Sequence, residues 1–336
     1  MSESCMSTMI KNLTMLEDKD TFAYEEAIGL VKTEVNRALT KSPGIIREYL
    51  THLSLSQGKY IRAASVIACA QDREDKISPN AVRVAGAIEL LHLATLVHDD
   101  IIDNADLRRG KATLQKKYGR RTAVICGDYL LSLALKMIAD IPNRKDYLNI
   151  HFPDYIGRLC LGELNQYINN RNLKLTIYQY LKIISGKTAA LFEASFLAGA
   201  VIAGCDEKEA GRYKQLGHYI GMIFQLSDDC IDFDATVEEA NKPVQSDYEQ
   251  GVITLPLIHA LMEEEAFREK AAGSALTRAE INEAVIRTEG LGFTRRIIQK
   301  YYKKAMRRLD ELTLTQDKKD RIIRILDLSS GRTRVQ

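Results

Sequence analysis

The chain has 336 residues, a formal net charge of +2 and six cysteines that lie far apart without a CxxC pair. The near-neutral charge gives no global electrostatic reason to expect nucleic acid or an acidic membrane surface as a partner. The dispersed cysteines argue against a disulfide or zinc framework and favour a reducing compartment.

Apolar residues recur at the i, i+3, i+4 spacing of helices almost everywhere, and only six prolines interrupt the chain. This pattern predicts an all-α fold with one domain over residues 1–336, in which residues 1–20 form a poorly ordered N-terminal segment. The predicted helices span residues 20–40, a short segment after Pro43, 58–70, 79–103, 119–139, 147–170, 176–203 (which Gly186 can interrupt), 206–233, 255–264, 277–288, 293–312 and 316–326.

Neither a signal peptide nor a membrane span is predicted. Residues 1–20 lack the apolar core of a signal peptide. The two most apolar stretches, 81–97 and 188–205, contain Glu89, His92 and Glu193, so they are interpreted as buried helices. We therefore expect a cytoplasmic protein without a transmembrane segment.

Two aspartate clusters with the same spacing carry the main functional signal. They are Asp99-Asp100-Ile101-Ile102-Asp103 and Asp228-Asp229-Cys230-Ile231-Asp232, and each follows an apolar run. On a helix, the first and last carboxylates of a cluster lie on one face, about 5.4 Å apart along the axis, where like charges repel. Hard divalent cations with oxygen ligands supply the missing countercharge. The clusters therefore suggest a diphosphate held between two helices by Mg²⁺.

A single acidic cluster at helical spacing is more often a solvated helix end than a metal site. Two matching clusters make that explanation a poor one. Cationic residues near the clusters support the interpretation as a diphosphate site. Arg108 and Arg109 follow the first cluster, and Lys187 follows Gly186. Lys59 and Arg62 are three residues apart on one predicted helical face. Taken singly, each of these is more often a surface charge than a ligand.

The order and spacing of these segments resembles the trans-polyprenyl diphosphate synthase family, whose members elongate isoprenoid chains head to tail. The similarity extends from about Gln57 to Pro256. It includes the two clusters and also Gly127-Asp128-Tyr129-Leu130-Leu131, Gly162-Glu163-Leu164, Gly186-Lys187-Thr188-Ala189 and Phe224-Gln225. The resemblance implies an all-α bundle around a deep central cavity, usually in a homodimer.

The resemblance also implies a role for each matching residue. Asp99, Asp103 and Asp228 would hold three Mg²⁺ ions on an allylic diphosphate, with Asp100 and Asp232 as nearby support. The residues implied to bind the same diphosphate are Arg108, Lys187 and Lys242. Those implied to bind isopentenyl diphosphate are Lys59, Arg62, His92 and Arg109. Those implied to face the allylic cation that forms when the diphosphate leaves are Thr188, Phe224 and Gln225.

The chain departs from the family pattern at three positions. Val252 stands where the family has a cation, and Tyr60 and Ala63 replace a basic residue and a proline. These changes could weaken diphosphate affinity or reflect a different loop arrangement. They remove none of the implied metal ligands.

Product length is predicted from the helix that ends in the first cluster. Thr95 lies one turn before Asp99, with Ala94 beside it, where short-chain family members carry bulky aromatic side chains. Two small residues leave the cavity open, and each further turn of about 5.4 Å admits roughly one more isoprene unit. Leu91 and Ile88 are the next obstacles. The alternative is that Ala94 merely permits close helix packing.

We therefore expect a Mg²⁺-dependent, homodimeric synthase of all-trans polyprenyl diphosphates longer than C20, with transient membrane contact for product release. A short-chain synthase making farnesyl or geranylgeranyl diphosphate is an alternative of the same chemistry. A terpene cyclase ranks low, because it would not need Lys59, Arg62 and His92. A non-catalytic subunit of a heteromeric synthase also ranks low, because such subunits commonly lose aspartates and all six are present.

Overall fold

The computed structural model describes residues 21–55, 58–143, 147, 153–234 and 246–331. The predicted all-α fold is confirmed: the described residues form helices joined by short connections. The first six helices are α1 (Tyr24–Thr40), α2 (Gly44–Ser54), α3 (Ile61–Ala70), α4 (Pro79–Ile102), α5 (Leu114–Tyr118) and α6 (Arg120–Ala139). The next five are α7 (Tyr155–Ile168), α8 (Ile177–Ile184), α9 (Ala190–Ile202), α10 (Glu207–Asp234) and α11 (Ser246–Glu249). The last five are α12 (Leu255–Glu263), α13 (Glu265–Gly273), α14 (Arg278–Arg287), α15 (Gly290–Asp310) and α16 (Gln316–Ser329).

Two non-α features lie close to the predicted site. A five-residue π-helical segment, Ser185–Ala189, joins α8 to α9. A two-stranded hairpin, in which β1 (Leu107–Arg108) pairs with β2 (Lys111–Ala112), follows the first aspartate cluster. Arg109 and Gly110 turn the hairpin with φ angles of 52° and 73°, the left-handed backbone that tight hairpin turns require.

Small residues let the central helices approach closely. A Cβ atom at Gly199 of α9 would lie 2.5 Å from the backbone oxygen of Val66 in α3. A Cβ atom at Gly221 of α10 would lie 2.6 Å from Cα of Ala189. Because those distances are too short for any side chain, glycine sets the spacing of α3, α9 and α10, which surround the interior of the bundle.

Several boundaries differ from the predicted ones. Helix α3 begins at Ile61 rather than Gly58, because Tyr60 adopts a left-handed φ of 54°, so Lys59 precedes the helix instead of sharing a helical face with Arg62. Helix α7 begins at Tyr155 rather than residue 147, and Asp154 caps it by accepting from the N–H of Gly157. Helix α13 was not predicted. The predicted segment 1–20 lies outside the described residues.

Helices α4 and α6 are long and apolar enough to cross a membrane by length and composition. The apolar window of α4 is 56% buried inside the bundle, as in the core helix of a soluble protein. The corresponding window of α6 is only 28% buried. Helix α6 therefore presents a large apolar surface that the rest of the described chain does not cover.

Candidate active site

A cavity of about 650 Å³ opens between the ends of the two aspartate helices. It brings together most of the residues predicted from the sequence, which come from segments far apart in the chain. The predicted residues that line it are Lys59, Arg62, His92, Thr95, Asp99, Arg109, Lys187, Thr188, Phe224, Gln225 and Asp228. Lys242 lies outside the described residues.

The three carboxylates of the first cluster have different surroundings. Asp99 faces the cavity. Asp100 is buried and accepts a hydrogen bond from Nε of Arg108 at 2.7 Å, so it anchors the hairpin that carries the arginines. Asp103 caps the C-terminal end of α4. Burial, then the negative charge of Glu163, raises the pKa of Asp99 to about 7; burial also raises the pKa values of Asp100 and Asp103. Burial and neighbouring carboxylates thus oppose ionisation of the cluster, while Lys187 and Arg108 favour it.

Lys187 lies in the π-helical segment, directly beside α7. Its Nζ is 2.9 Å from Oε2 of Glu163. Burial opposes a charge on Lys187, but Glu163 and Asp99 raise the pKa of its ammonium group. The backbones meet at Gly162 and Gly186, since a Cβ at Gly162 would lie 2.3 Å from the backbone nitrogen of Lys187. The resemblance included Glu163 without assigning it a role, and the structure places this third carboxylate in the cavity lining.

The second cluster divides its carboxylates between the cavity and the protein interior. Asp228 is exposed and lines the cavity. Asp229 is 1% exposed and accepts hydrogen bonds from the hydroxyl of Tyr180 and from Nε2 of Gln225, the latter at 3.1 Å. The Oε1 atom of Gln225 accepts from the hydroxyl of Thr188 at 2.7 Å. Asp229 therefore fixes the orientation of Gln225.

Asp232, the last carboxylate of the second cluster, is half-buried on α10 and is not among the residues that line the cavity.

Arg62 and His92 form a basic pocket in the lining of the same cavity. Nη1 of Arg62 donates to Nε2 of His92 at 3.1 Å. Burial, together with Arg62 and Arg109, holds the pKa of His92 well below its usual value, so the imidazole is neutral. The Arg62 guanidinium also lies 4.8 Å from the ring centroid of Phe192 and 5.7 Å from that of Phe224.

Glu89 lies beside this pocket and was not predicted as a site residue; burial raises its pKa, whereas the positive charges of Arg62 and Arg109 act to lower it. Its Oε1 accepts from the backbone N–H of Ala63 at 3.0 Å, at the start of α3. The guanidinium of Arg109 closes the pocket near Gly58, where a Cβ atom would be 3.0 Å from Nη1 of Arg109. An acidic residue in an otherwise apolar run was the sequence signal that could have identified Glu89.

The carboxylates fit a metal that also binds substrate. Among the described residues, no three His, Cys, Asp or Glu side chains are close enough to hold a metal ion by themselves. Four carboxyl residues line the cavity: Glu89 beside Arg62, and Asp99, Glu163 and Asp228. Mg²⁺ usually takes one or two carboxylates and completes its shell with water and substrate phosphate. An oxygen-only donor set matches that preference.

A second cavity of about 430 Å³ lies farther along α4, α6 and α9. Almost all of its lining is apolar. Leu91 and Ile88 line this cavity, whereas Thr95 lines the first one. Ala94 is 2% exposed and lines neither cavity, because it packs inside the core. An apolar cavity thus lies along α4 on the N-terminal side of Thr95, with Leu91 and Ile88 in its lining.

Known proteins are similar to this chain in both sequence and architecture. The model of the polyprenyl synthetase family matches residues 43–288. Heptaprenyl diphosphate synthase component 2 of Geobacillus stearothermophilus is 36% identical over 296 residues, covering 86% of this chain and 91% of that protein. Octaprenyl diphosphate synthase of Escherichia coli (strain K12) is 34% identical over 232 residues, covering 69% and 71%. The crystal structure of heptaprenyl diphosphate synthase from Staphylococcus aureus has a TM-score of 0.82 and 32% identity, covering 92% of this chain and 98% of that one.

Proposed function

The chain belongs to the polyprenyl synthetase family and is a prenyltransferase, and we propose that it condenses isopentenyl diphosphate head to tail (1′-4) with an allylic diphosphate. The observation that supports this proposal is that one cavity is lined by both an acidic and a basic group of residues. Asp99 interacts electrostatically with Lys187, and Arg62 donates a hydrogen bond to His92.

The allylic diphosphate is assigned to the aspartate side. Asp99, Asp103 and Asp228 would hold Mg²⁺, which would neutralise the diphosphate as it leaves. Arg108 and Lys187 would bind the diphosphate oxygens. Both cations already pair with carboxylates, Arg108 with Asp100 and Lys187 with Glu163, so they are held in place before substrate binds.

Isopentenyl diphosphate is assigned to the basic pocket. Lys59, Arg62 and Arg109 carry the positive charge, and neutral His92 adds a hydrogen-bonding group. This pocket lacks the aspartate clusters, in keeping with a co-substrate that binds without metal. The double bond of isopentenyl diphosphate would attack the allylic cation, and Thr188, Phe224 and Gln225 would stabilise that cation by dipoles and π density. A proton is then lost, with the departing diphosphate as its acceptor.

The product is proposed to exceed C20. Along α4, the lining of the second cavity extends from Leu91 to Val84, about 10 Å at 1.5 Å per residue. That apolar space suits an elongating hydrocarbon tail. The relatives named as heptaprenyl and octaprenyl diphosphate synthases support the same range. A product of C15 or C20 is the alternative, in which Leu91 would separate the two cavities.

The working form is proposed to be a homodimer in the cytoplasm. Eight of the sixteen exposed large apolar side chains in the described part of the chain lie on α6 and α7. We call this surface the α6–α7 face; it consists of Val124, Ile125, Leu135, Ile138, Leu161, Leu164, Tyr167 and Ile168. Exposed apolar side chains concentrated on two helices are typical of a protein interface. The relatives named component 2 favour a second candidate, a catalytic subunit with a different partner.

The deciding experiment is an assay of the purified chain alone. It is incubated with labelled isopentenyl diphosphate and C10, C15 or C20 allylic diphosphates, with Mg²⁺ or with EDTA, and the dephosphorylated alcohols are separated by chromatography. Mg²⁺-dependent products longer than C20 are expected. Activity that is unaffected by EDTA would refute the metal assignment. A chain that is inactive alone but becomes active with a second polypeptide would favour the heteromeric candidate.

A further inference from the structure

The hairpin that follows the first aspartate cluster is held from two directions. Nε of Arg108 donates to Oδ1 of Asp100 at 2.7 Å, which ties β1 to α4. Nε2 of His52 lies 2.8 Å from the backbone oxygen of Ala112, which ties β2 to the last turn of α2. Since β1 and β2 pair with each other, the hairpin is fixed between the C-terminal ends of α2 and α4.

Further contacts join the end of α2 to the same segment. The ammonium group of Lys111, in β2, donates to the backbone oxygen of Leu55, which directly follows α2. The ring of Tyr118, in α5, lies edge-on to the ring of His52 at 5.8 Å between centroids and to the ring of Tyr49 at 4.9 Å. The end of α2 and the hairpin region are therefore connected by polar and aromatic contacts together.

His52 acts within the protein and does not reach a substrate. A carbonyl oxygen only accepts hydrogen bonds, so the short contact with Ala112 places the ring hydrogen on Nε2. The other ring nitrogen, Nδ1, lies 3.5 Å from Nζ of Lys117, a group that only donates. His52 is not one of the described residues that line the cavity. Any effect of His52 on the substrates must therefore pass through the hairpin.

The hairpin carries two arginines that the proposed function assigns to different substrates. Arg108 is bonded to Asp100 of the first cluster. Arg109 lines the cavity, and a Cβ atom at Gly58 would lie 3.0 Å from its Nη1. The two guanidinium groups are consecutive in the chain, so a displacement of the hairpin moves both of them. One contact at the base of β2 can thus influence both diphosphates.

We propose that His52 is a positioning residue for both diphosphate sites, because its hydrogen bond to Ala112 keeps Arg108 and Arg109 in place. This inference rests on the proposed function. The net effect of one hydrogen bond of this kind corresponds to about 3- to 10-fold in an equilibrium constant. His52→Ala should therefore raise KM for isopentenyl diphosphate and for the allylic diphosphate by about 3- to 10-fold each, with a smaller change in kcat.

Two conservative variants separate the hydrogen bond from the ring. The side-chain nitrogen of glutamine can take the place of Nε2, whereas that of asparagine corresponds to Nδ1. His52→Gln should therefore restore both KM values, and His52→Asn should behave like His52→Ala. His259→Ala is the matched control, because His259 is a half-buried histidine that stacks on Phe293 at 4.2 Å, outside the cavity lining. Circular dichroism checks folding, and steady-state kinetics gives KM for each substrate.

A double-mutant cycle tests whether His52 acts through Arg109. In an Arg109→Ala background, His52→Ala should no longer raise KM for isopentenyl diphosphate, although it should still raise KM for the allylic substrate through Arg108. Such non-additivity is the signature of two coupled residues.

The placement of the hairpin is also measured without substrate. The hairpin contains three trypsin sites, after Arg108, Arg109 and Lys111. Brief digestion of the full chain, followed by peptide mass spectrometry, should show cleavage at these sites about 3- to 10-fold faster in His52→Ala, because local opening is easier. His52→Gln and His259→Ala should be cleaved there at the wild-type rate. This readout needs no turnover, so a wild type that fails to condense the two diphosphates would count against the proposed function and not against the anchoring of the hairpin.

Four results would overturn the inference. The first is a folded His52→Ala variant with wild-type KM values or wild-type cleavage of the hairpin. The second is an increase in KM for only one of the two substrates. The third is a His52→Gln variant as impaired as His52→Asn, a comparison that also decides the matter if His52→Ala does not fold. The fourth is full additivity of His52→Ala and Arg109→Ala in KM for isopentenyl diphosphate.

Discussion

Replacing Gly162 by alanine should test how closely the backbone of α7 holds the Lys187 segment. The added Cβ would lie 2.3 Å from the backbone nitrogen of Lys187 and 2.7 Å from the carbonyl carbon of Gly186. Ordinary contact needs about 3.4 Å or more, so the two segments must separate by roughly 1 Å. Backbone atoms cannot rotate aside as a side chain can.

The expected effects are a loss of stability and a larger loss of catalysis. Overpacking of this kind typically destabilises a protein by about 1–3 kcal/mol. A displacement of roughly 1 Å in a catalytic group can lower the rate about 100-fold, and here it would move Lys187 away from Asp99 and Glu163. Denaturant unfolding gives the first quantity, and steady-state kinetics with the allylic substrate gives the second.

Gly211→Ala is the matched control. Gly211 lies inside α10, and no atom comes within 4 Å of a Cβ built there. Alanine favours a helix over glycine by about 1 kcal/mol, so this variant should be slightly more stable and fully active. The argument for a close backbone contact would be refuted if Gly162→Ala matched the wild type in both stability and kcat.

Four further outcomes are expected. Asp99→Ala or Asp228→Ala should lower kcat by roughly 100-fold or more, because several kcal/mol of charge stabilisation is lost. Circular dichroism should stay unchanged. Full activity in either variant would contradict the metal assignment. Arg62→Ala should chiefly raise KM for isopentenyl diphosphate, whereas Lys187→Ala should raise KM for the allylic substrate and lower kcat. Each variant should lose about 30- to 1000-fold in kcat/KM. Equal effects on both substrates would contradict the assignment of the two substrates to separate sites. Burial raises the pKa of Asp99 to about 7, so without divalent cations the folded state binds more protons than the unfolded state between about pH 4 and 7. The free energy of unfolding, measured with urea, should therefore fall as pH rises through that window, and should fall less in Asp99→Asn. Identical pH profiles for the two proteins would contradict the raised pKa of Asp99. Thr95→Phe should shorten the product to C15–C20 with much of the first-step rate retained, and an unchanged alcohol profile would exclude Thr95 from the path of the tail.

The helices and the main cavity residues could be predicted from the sequence because their signals are local. Apolar periodicity predicts a helix, and the spacing of Asp99 and Asp103 places both on one end of it. The meeting of that end with Asp228 was inferred from the matching spacing of the two clusters and from the resemblance to a family. No spacing within α4 or α10 indicates that these two helix ends share a cavity.

Contacts between distant segments account for what the sequence did not predict. Tyr180 donates to Asp229 from a helix 49 residues earlier, and nothing in its neighbourhood distinguishes it from other tyrosines on helices. The left-handed φ of Tyr60, which delays the start of α3, is likewise not indicated by the residue type. The π-helical geometry around Lys187 was foreseen only as an interruption at Gly186.

The hydrogen bonds around Asp229 fix the dipoles of two side chains that line the cavity, Gln225 and Thr188. Tyr180 and the amide group of Gln225 both donate to the buried carboxylate, and Thr188 donates to Gln225. The Thr188 hydroxyl donates to Gln225 and the Gln225 amide donates to Asp229, so both side chains are held in fixed orientations. In the proposed mechanism, dipoles held in this way would need no reorientation when positive charge develops on an allylic carbon. A carboxylate that never touches the substrate would in this way contribute to the stability of a carbocation.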